Sequence, residues 1–223
     1  MRLGLMLPSV NTVSEPEFNA GTPADVSVHT ARMFARGTSE ASVREMIADE
    51  VPRAARDVGS TRPDVVVLAC TAVGAVLGAE GEARLVGEIE ERVAAPVVSM
   101  NLSVREVLAR TGARRVAVLT PYPDDVTQRV AEGLRADGFE VPVTASMGYP
   151  DAFPIAAIDA DQLIAFVQDH VSPGDVDALF LSCGNLRVLE ARERLEEQYG
   201  VPVVASNLAT LEMALERLAE VRA

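Results

Sequence analysis

The chain holds two cysteines, and each ends an apolar run: "VVVLAC" closes at Cys70 and "ALFLSC" at Cys183. Thr71 and Ala72 follow the first thiol and Gly184 and Asn185 the second, so each sulfur has small residues and a hydroxyl or amide beside it. A strand that ends in Cys and runs into a helix places the sulfur near unpaired N–H groups and the positive end of the helix dipole. Such surroundings favour thiolate, against an ordinary thiol pKa of about 8.5. The same backbone donors can hold a carboxylate or a developing oxyanion. Two thiols on opposite sides of one carbon can also remove a proton from one face and return it to the other.

Other chemistries lack their residues. All 20 basic residues are Arg, so no side chain can form a Schiff base and no P-loop lysine exists. No G-x-G-x-x-G follows a strand-like run, which removes support for a dinucleotide site. His29 and His170 lie far from both cysteines, show no metal-ligand spacing, and are assigned to surface or structural roles. A redox pair would read C-x-x-C, which is absent. Two bland readings stand beside the chemical one: ordinary buried cysteines, or a disulfide, which a reducing compartment disfavours.

The elements that must position the thiols are short continuous apolar runs, such as "RLGLML", "DVVVLAC", "RRVAVLT" and "DALFLSC", alternating with amphipathic segments such as "SEASVREMIADEVPRAARDVG", "EARLVGEIEERV" and "DDVTQRVAEGLRADG". Strands that are apolar throughout are buried on both faces, which means parallel sheets covered by helices. The order repeats: "RLGLMLPSVNT" matches "RRVAVLTPYPDD", and the separation from Pro8 to Cys70 equals that from Pro121 to Cys183, 62 positions in each case. "APVVSMNLS" and "VPVVASNLA" then follow the two cysteine strands. The expected fold is α/β: two similar Rossmann-like three-layer halves with parallel sheets, related by a pseudo-twofold axis, with the active site in the cleft between them. The halves are expected at 1–105 and 106–207, with a C-terminal helix over 208–223 packing back on the first. Ligands bind at the carboxyl ends of parallel strands, where both cysteines stand, so the thiols are expected to meet one small molecule from opposite sides.

A hydrophobic content of 48% with 24% charged residues describes a globular chain. No apolar stretch is long enough for a signal-peptide core or a bilayer span, so the expected location is the cytoplasm, with no membrane partner. A net charge of −13 argues against nucleic acid. It also means that an anionic substrate must be held by local donors. A homodimer is the default for an enzyme of this size.

Together "LPSVNTVSEPEF", "ACTAVGAV", "LTPY" and "SCGNLR…GVPVVASN" resemble the aspartate/glutamate racemase superfamily, and the first motif with "LTPY" resembles its maleate cis-trans isomerase branch. The resemblance spans essentially the whole chain. It implies Cys70 as the nucleophile that adds to the double bond of maleate, and Cys183 as the group that supplies and later removes the proton on the neighbouring carbon. No cofactor or metal is implied. Asn11 and Tyr122 would donate to the substrate carboxylates, with Ser9, Thr12 and Thr71 as neighbouring donors and Asn185 beside Cys183.

The segment "GYPDAFPIAAID" departs from that branch, because it has no asparagine and carries Phe153 and Pro154 instead; a different or more apolar acid is the expectation. Two alternatives stay open: a two-cysteine racemase or epimerase of an amino acid such as aspartate or glutamate, and a non-catalytic small-acid binding protein. A malonate decarboxylase of the same superfamily needs one thiol, and Cys70 counts against it. Asn11 and Ser9 could instead form a turn, Tyr122 could be a packed aromatic, and Arg187 a surface cation. Ser99 with Asn101, and Ser206 with Asn207, read as helix caps.

Overall fold

The computed structural model describes residues 1–37 and 39–223. In the first half, β1 (Arg2–Pro8) pairs in parallel with β2 (Ser27–Met33) on one side and β3 (Val65–Leu68) on the other, and β4 (Val97–Ser99) extends the sheet in the order β2-β1-β3-β4. In the second half, β5 (Arg115–Thr120), β6 (Glu140–Ser146), β7 (Ala178–Leu181) and β8 (Val203–Ala205) repeat it as β6-β5-β7-β8, again all parallel. This is the repeated α/β architecture that the continuous apolar strands demand. Leu3, Leu5 and Leu7 of β1 and Val65 to Leu68 of β3 are fully shielded on both faces.

The repeat extends to the strand ends. Ala69 N–H donates to Met6 O at 2.8 Å, and Ser182 N–H donates to Leu119 O at 3.0 Å. The loops that follow β1 and β3, and those that follow β5 and β7, therefore leave their sheets side by side at the carboxyl edge.

Helices α1 (Ser14–Gly21), α2 (Glu40–Glu45), α3 (Val51–Gly59) and α4 (Thr71–Val93) belong to the first half by sequence, followed by α5 (Met100–Thr111). The second half carries α6 (Asp124–Ala136), α7 (Ala152–Ala156), α8 (Ala160–His170), α9 (Arg192–Tyr199) and α10 (Ser206–Arg222). Two of them cross between sheets. Ala214 and Leu218 of α10 pack with Leu3, Leu5 and Val67 of the first sheet, while Val104 and Leu108 of α5 pack with Val116, Val118 and Phe180 of the second. Each sheet thus buries one face under the helix that follows the other half's last strand, and the two halves share their cores.

Residues 39–59 do not form the single helix their periodicity suggests. Pro52 has no N–H and its ring crowds the preceding turn, so a π-helical turn over Met46–Glu50 intervenes and Val51 N–H reaches Met46 O. α4 also starts earlier than its amphipathic stretch, at Thr71, and bends where Gly78 takes a positive φ of 67°.

Candidate active site

Cys70 has extended backbone and immediately precedes the first turn of α4. The helix-start geometry expected from sequence is present there, with Ala72 and Val73 in the opening turn and Val73 N–H 3.4 Å from Cys70 O. Cys183 differs. Residues 184–191 form turns, and α9 begins only at Arg192. The expected helix after this thiol is absent because Gly184 and Asn185 commit their polar groups to tertiary partners. Cys183 keeps a single backbone donor, Asn185 N–H, 3.2 Å from its sulfur.

The thiolate expectation is overturned at both positions. Cys70 is 4% exposed and Cys183 6%, and burial pushes both thiols up to about 11. The N–H donors pull Cys70 down and the Tyr122 hydroxyl with Asn185 N–H pulls Cys183 down, but desolvation of a charged sulfur outweighs them. Near neutral pH both residues are thiols in this structure, and neither is disulfide-bonded.

Tyr122 joins the two sides. Its hydroxyl lies 2.9 Å from Thr71 Oγ1 and also faces Cys183. Its backbone is fixed by a 3.1 Å bond from its N–H to Thr120 Oγ1 and a 2.6 Å bond from Ser146 Oγ to its carbonyl. Burial and the neighbouring sulfurs hold the phenol well above its ordinary pKa, so it remains a neutral donor.

Asn11 forms a turn and a clasp at once. Oδ1 accepts from Val13 N–H and Ser14 N–H at 3.0 and 2.9 Å, while Nδ2 donates to Ser14 Oγ at 2.9 Å and to Gly184 O at 3.1 Å. Gly184 permits this approach, because a Cβ there would lie 3.3 Å from Asn11 Nδ2 and from Met100. Asn185 makes the matching clasp, accepting from Thr12 N–H at 2.9 Å and donating to Ala152 O at 2.7 Å.

The structure therefore gathers Asn11, Thr12, Thr71, Ala72, Tyr122, Gly184 and Asn185 around the two thiols. Ser9 Oγ accepts from Ala35 N–H at 3.1 Å, just past the end of β2, and no bond joins it to the residues around the thiols. Arg187 is exposed and pairs with Glu190 at 2.9 Å. His29 bonds Ser27 on an exposed strand and His170 packs on Phe166 at the end of α8, both away from the thiols. Phe153 sits on α7 with 59% of its surface exposed. Among the described residues no group of three or more His, Cys, Asp and Glu side chains could hold a metal ion, and no helix is long and apolar enough to cross a membrane.

The cap readings of Ser99, Asn101, Ser206 and Asn207 are corrected. Neither Ser99 nor Ala205, the residues preceding α5 and α10, makes a side-chain capping bond; the Ser99 hydroxyl faces Glu82 instead, and Ser206 Oγ is buried without a partner. Asn101 and Asn207 instead lie in the first turns of these helices and reach back to the cysteine loops. The repeated "VVSMN" and "VVASN" were the sequence signal for that role.

The sequence profile of the arylmalonate decarboxylase family matches residues 3–222. A maleate isomerase of Pseudomonas putida is 30% identical over 230 residues, covering 97% of this chain and 91% of its own. An arylmalonate decarboxylase of Bordetella bronchiseptica is 31% identical over 166 residues, covering 74% of this chain and 69% of its own. The solved Nocardia farcinica maleate cis-trans isomerase with a covalently bound succinylcysteine intermediate superposes with a TM-score of 0.89 at 27% identity, covering 98% of this chain and 92% of that one.

Proposed function

The chain belongs to the arylmalonate decarboxylase family, and from that premise we propose that it is a cis-trans isomerase of a small unsaturated dicarboxylic acid, of the maleate-to-fumarate kind, working through a covalent cysteine adduct. The observation that carries the reading is the pair of thiols at equivalent strand ends with Tyr122 shared between them. The relative trapped as a succinylcysteine supports the same chemistry.

The reaction balances with the two thiols. Cys70 gives its proton to solvent as the acid binds and regains it after release, and the N–H donors at the start of α4 favour the thiolate in between. The sulfur adds to one alkene carbon, the π pair moves to the neighbouring carbon, and the adjacent carboxylate delocalises it. The Cys183 thiol gives that carbon its proton and becomes a thiolate, which Asn185 N–H and the Tyr122 hydroxyl favour. The former double bond is now single and rotates. Cys183 then takes a proton back, the double bond re-forms, and the bond to Cys70 breaks to release the trans acid.

None of the seven residues gathered around the thiols is cationic, so the substrate carboxylates are held by N–H dipoles and by the Thr12, Thr71 and Tyr122 hydroxyls. Such fixed donors are strong in a site without water. They must outweigh a net charge of −13. The missing asparagine in the segment around Phe153, itself 59% exposed, points to a different or more apolar acid than maleate. A homodimer remains the expected assembly.

Incubation with maleate and with alkyl-substituted maleates, followed by proton NMR, tests the reading. Appearance of the trans acid is expected, and protein with intact thiols that turns over none of them would contradict it. Deuterium uptake at the α-carbon of aspartate or glutamate in D₂O would point to a racemase instead.

A further inference from the structure

Behind each thiol the chain builds the same small device from different parts. Asn101 Nδ2 lies 3.3 Å from Thr71 O, 3.5 Å from Cys70 O and 3.1 Å from Glu82 Oε1. Asn207 Nδ2 lies 3.0 Å from Gly184 O and 2.6 Å from Glu17 Oε2. The two asparagines are related by the repeat, each standing at the start of the helix after the half's last strand. The glutamates are not so related, since Glu17 is on α1 and Glu82 on α4. An amide with a carboxyl behind it, half-buried at Glu17 and fully buried at Glu82, thus recurs where simple duplication does not provide it.

The geometry gives the device a purpose. A trans peptide points its carbonyl and the following N–H in opposite directions. Pulling the Thr71 carbonyl toward Asn101 turns the Ala72 N–H toward Cys70, and pulling the Gly184 carbonyl toward Asn207 turns the Asn185 N–H onto Cys183. The second of these N–H groups is 3.2 Å from its sulfur, and the first belongs to the opening turn of α4, directly after Cys70. Gly184 O also lies 3.1 Å from Asn11 Nδ2 and 2.7 Å from Ser14 Oγ. A peptide whose carbonyl is so heavily bonded donates more strongly through its N–H. An asparagine has two N–H protons, and a carboxyl that takes one leaves the other aimed at the carbonyl. Glu82 is completely buried, with the Asn101 amide and the Ser99 hydroxyl against its carboxyl, and burying such a group costs stability and calls for a reason.

We propose that Glu82 and Glu17 are positioning residues, which orient Asn101 and Asn207 and so fix the Ala72 and Asn185 N–H groups on the sulfurs of Cys70 and Cys183. The assignment rests on both thiols being the reacting groups. Its signature is selective: each glutamate governs one thiol.

Site-resolved alkylation by iodoacetamide, followed by peptide mass spectrometry, tests this without any substrate, so it is independent of whether the isomerase reading holds. The informative comparison is Glu82→Met against Glu82→Gln, and Glu17→Met against Glu17→Gln. All four side chains are uncharged and similar in size, but only Gln offers an acceptor to the asparagine. Cys70 should react about tenfold more slowly in Glu82→Met than in Glu82→Gln at the same pH, as expected for loss of one hydrogen bond to a charged sulfur, with Cys183 unchanged. The Glu17 pair should show the converse. With turnover measured, the Met variants should lose kcat with little change in KM. If a Met variant does not fold, Asn101→Ala and Asn207→Ala should give the same thiol-by-thiol pattern. Equal rates for Met and Gln at the facing thiol, or both thiols changing together, would overturn the proposal.

Discussion

Tyr122 Oη, from the second half, lies 2.9 Å from Thr71 Oγ1, the hydroxyl next to the first half's thiol. The same phenol faces Cys183. One side chain therefore ties the two halves together at the point where both sulfurs lie, and keeps a neutral donor beside the thiol that the proposed reaction would charge.

Replacing Tyr122 by Phe removes that donor and keeps the ring. Cys183 should then titrate above its already raised value of about 11, and turnover should fall by about 10- to 100-fold, in the range of one lost donor to a developing charge. Stability should change by only about 1 kcal/mol, because the aromatic packing remains. Steady-state kinetics with a denaturation curve checks both; an unchanged kcat would contradict the role given to the hydroxyl.

Both thiols should be sluggish toward alkylating agents at neutral pH. Desolvation holds each near 11, so the rate should keep rising past the ordinary midpoint of about 8.5. A stopped-flow pH profile with a plateau already reached at pH 9 would show that the sulfurs are far more solvated than the structure has them.

Gly74, on the first turn of α4, leaves the space that the Asn101–Glu82 pair occupies. A Cβ there would overlap Asn101 Nδ2 and Glu82 Oε2. Gly74→Ala should cost about 1–3 kcal/mol as overpacking of a filled site, although alanine is the better helix former. A thermal or chemical melt that shows stabilisation would contradict this.

Glu17 gives a pH signature in stability. Burial raises its carboxyl from the ordinary 4.5 to about 7, against the Asn207 donor and Arg187, and with Glu190 adding to the rise. Between these values the native chain holds a proton that the unfolded chain has released. Stability should therefore be highest below about 4.5 as far as this group is concerned, and decline as pH rises through about 7. Glu17→Gln should flatten that decline, measured by urea unfolding at several pH values; an unaltered slope would place the titration elsewhere.

The sheets were legible because burial on both faces leaves strands apolar throughout, and the repeat made the equivalence of Cys70 and Cys183 readable by counting. What escaped the sequence depends on contacts distant along the chain. Asn207 and Glu17 meet across 190 positions. The sequence also suggests a helix after Cys183, but Asn185 is bonded to Thr12 N–H and Ala152 O. Thiolate character was misjudged for a similar reason: local donors are visible in a sequence, whereas the degree of burial that outweighs them is a property of the assembled halves.

The most direct test of the account is the intact mass of a Cys183→Ser variant after exposure to maleate or its alkyl-substituted analogues. The serine hydroxyl can still give the carbanion its proton, with solvent restoring it, but it is too weak a base to take one back, so elimination is blocked. The variant should gain the mass of one acid per chain, located at Cys70 by peptide mapping, and release no trans product. An unmodified Cys70 in this variant, under conditions where the parent enzyme turns over the same acid, would mean that the reaction does not pass through a covalent bond to that sulfur.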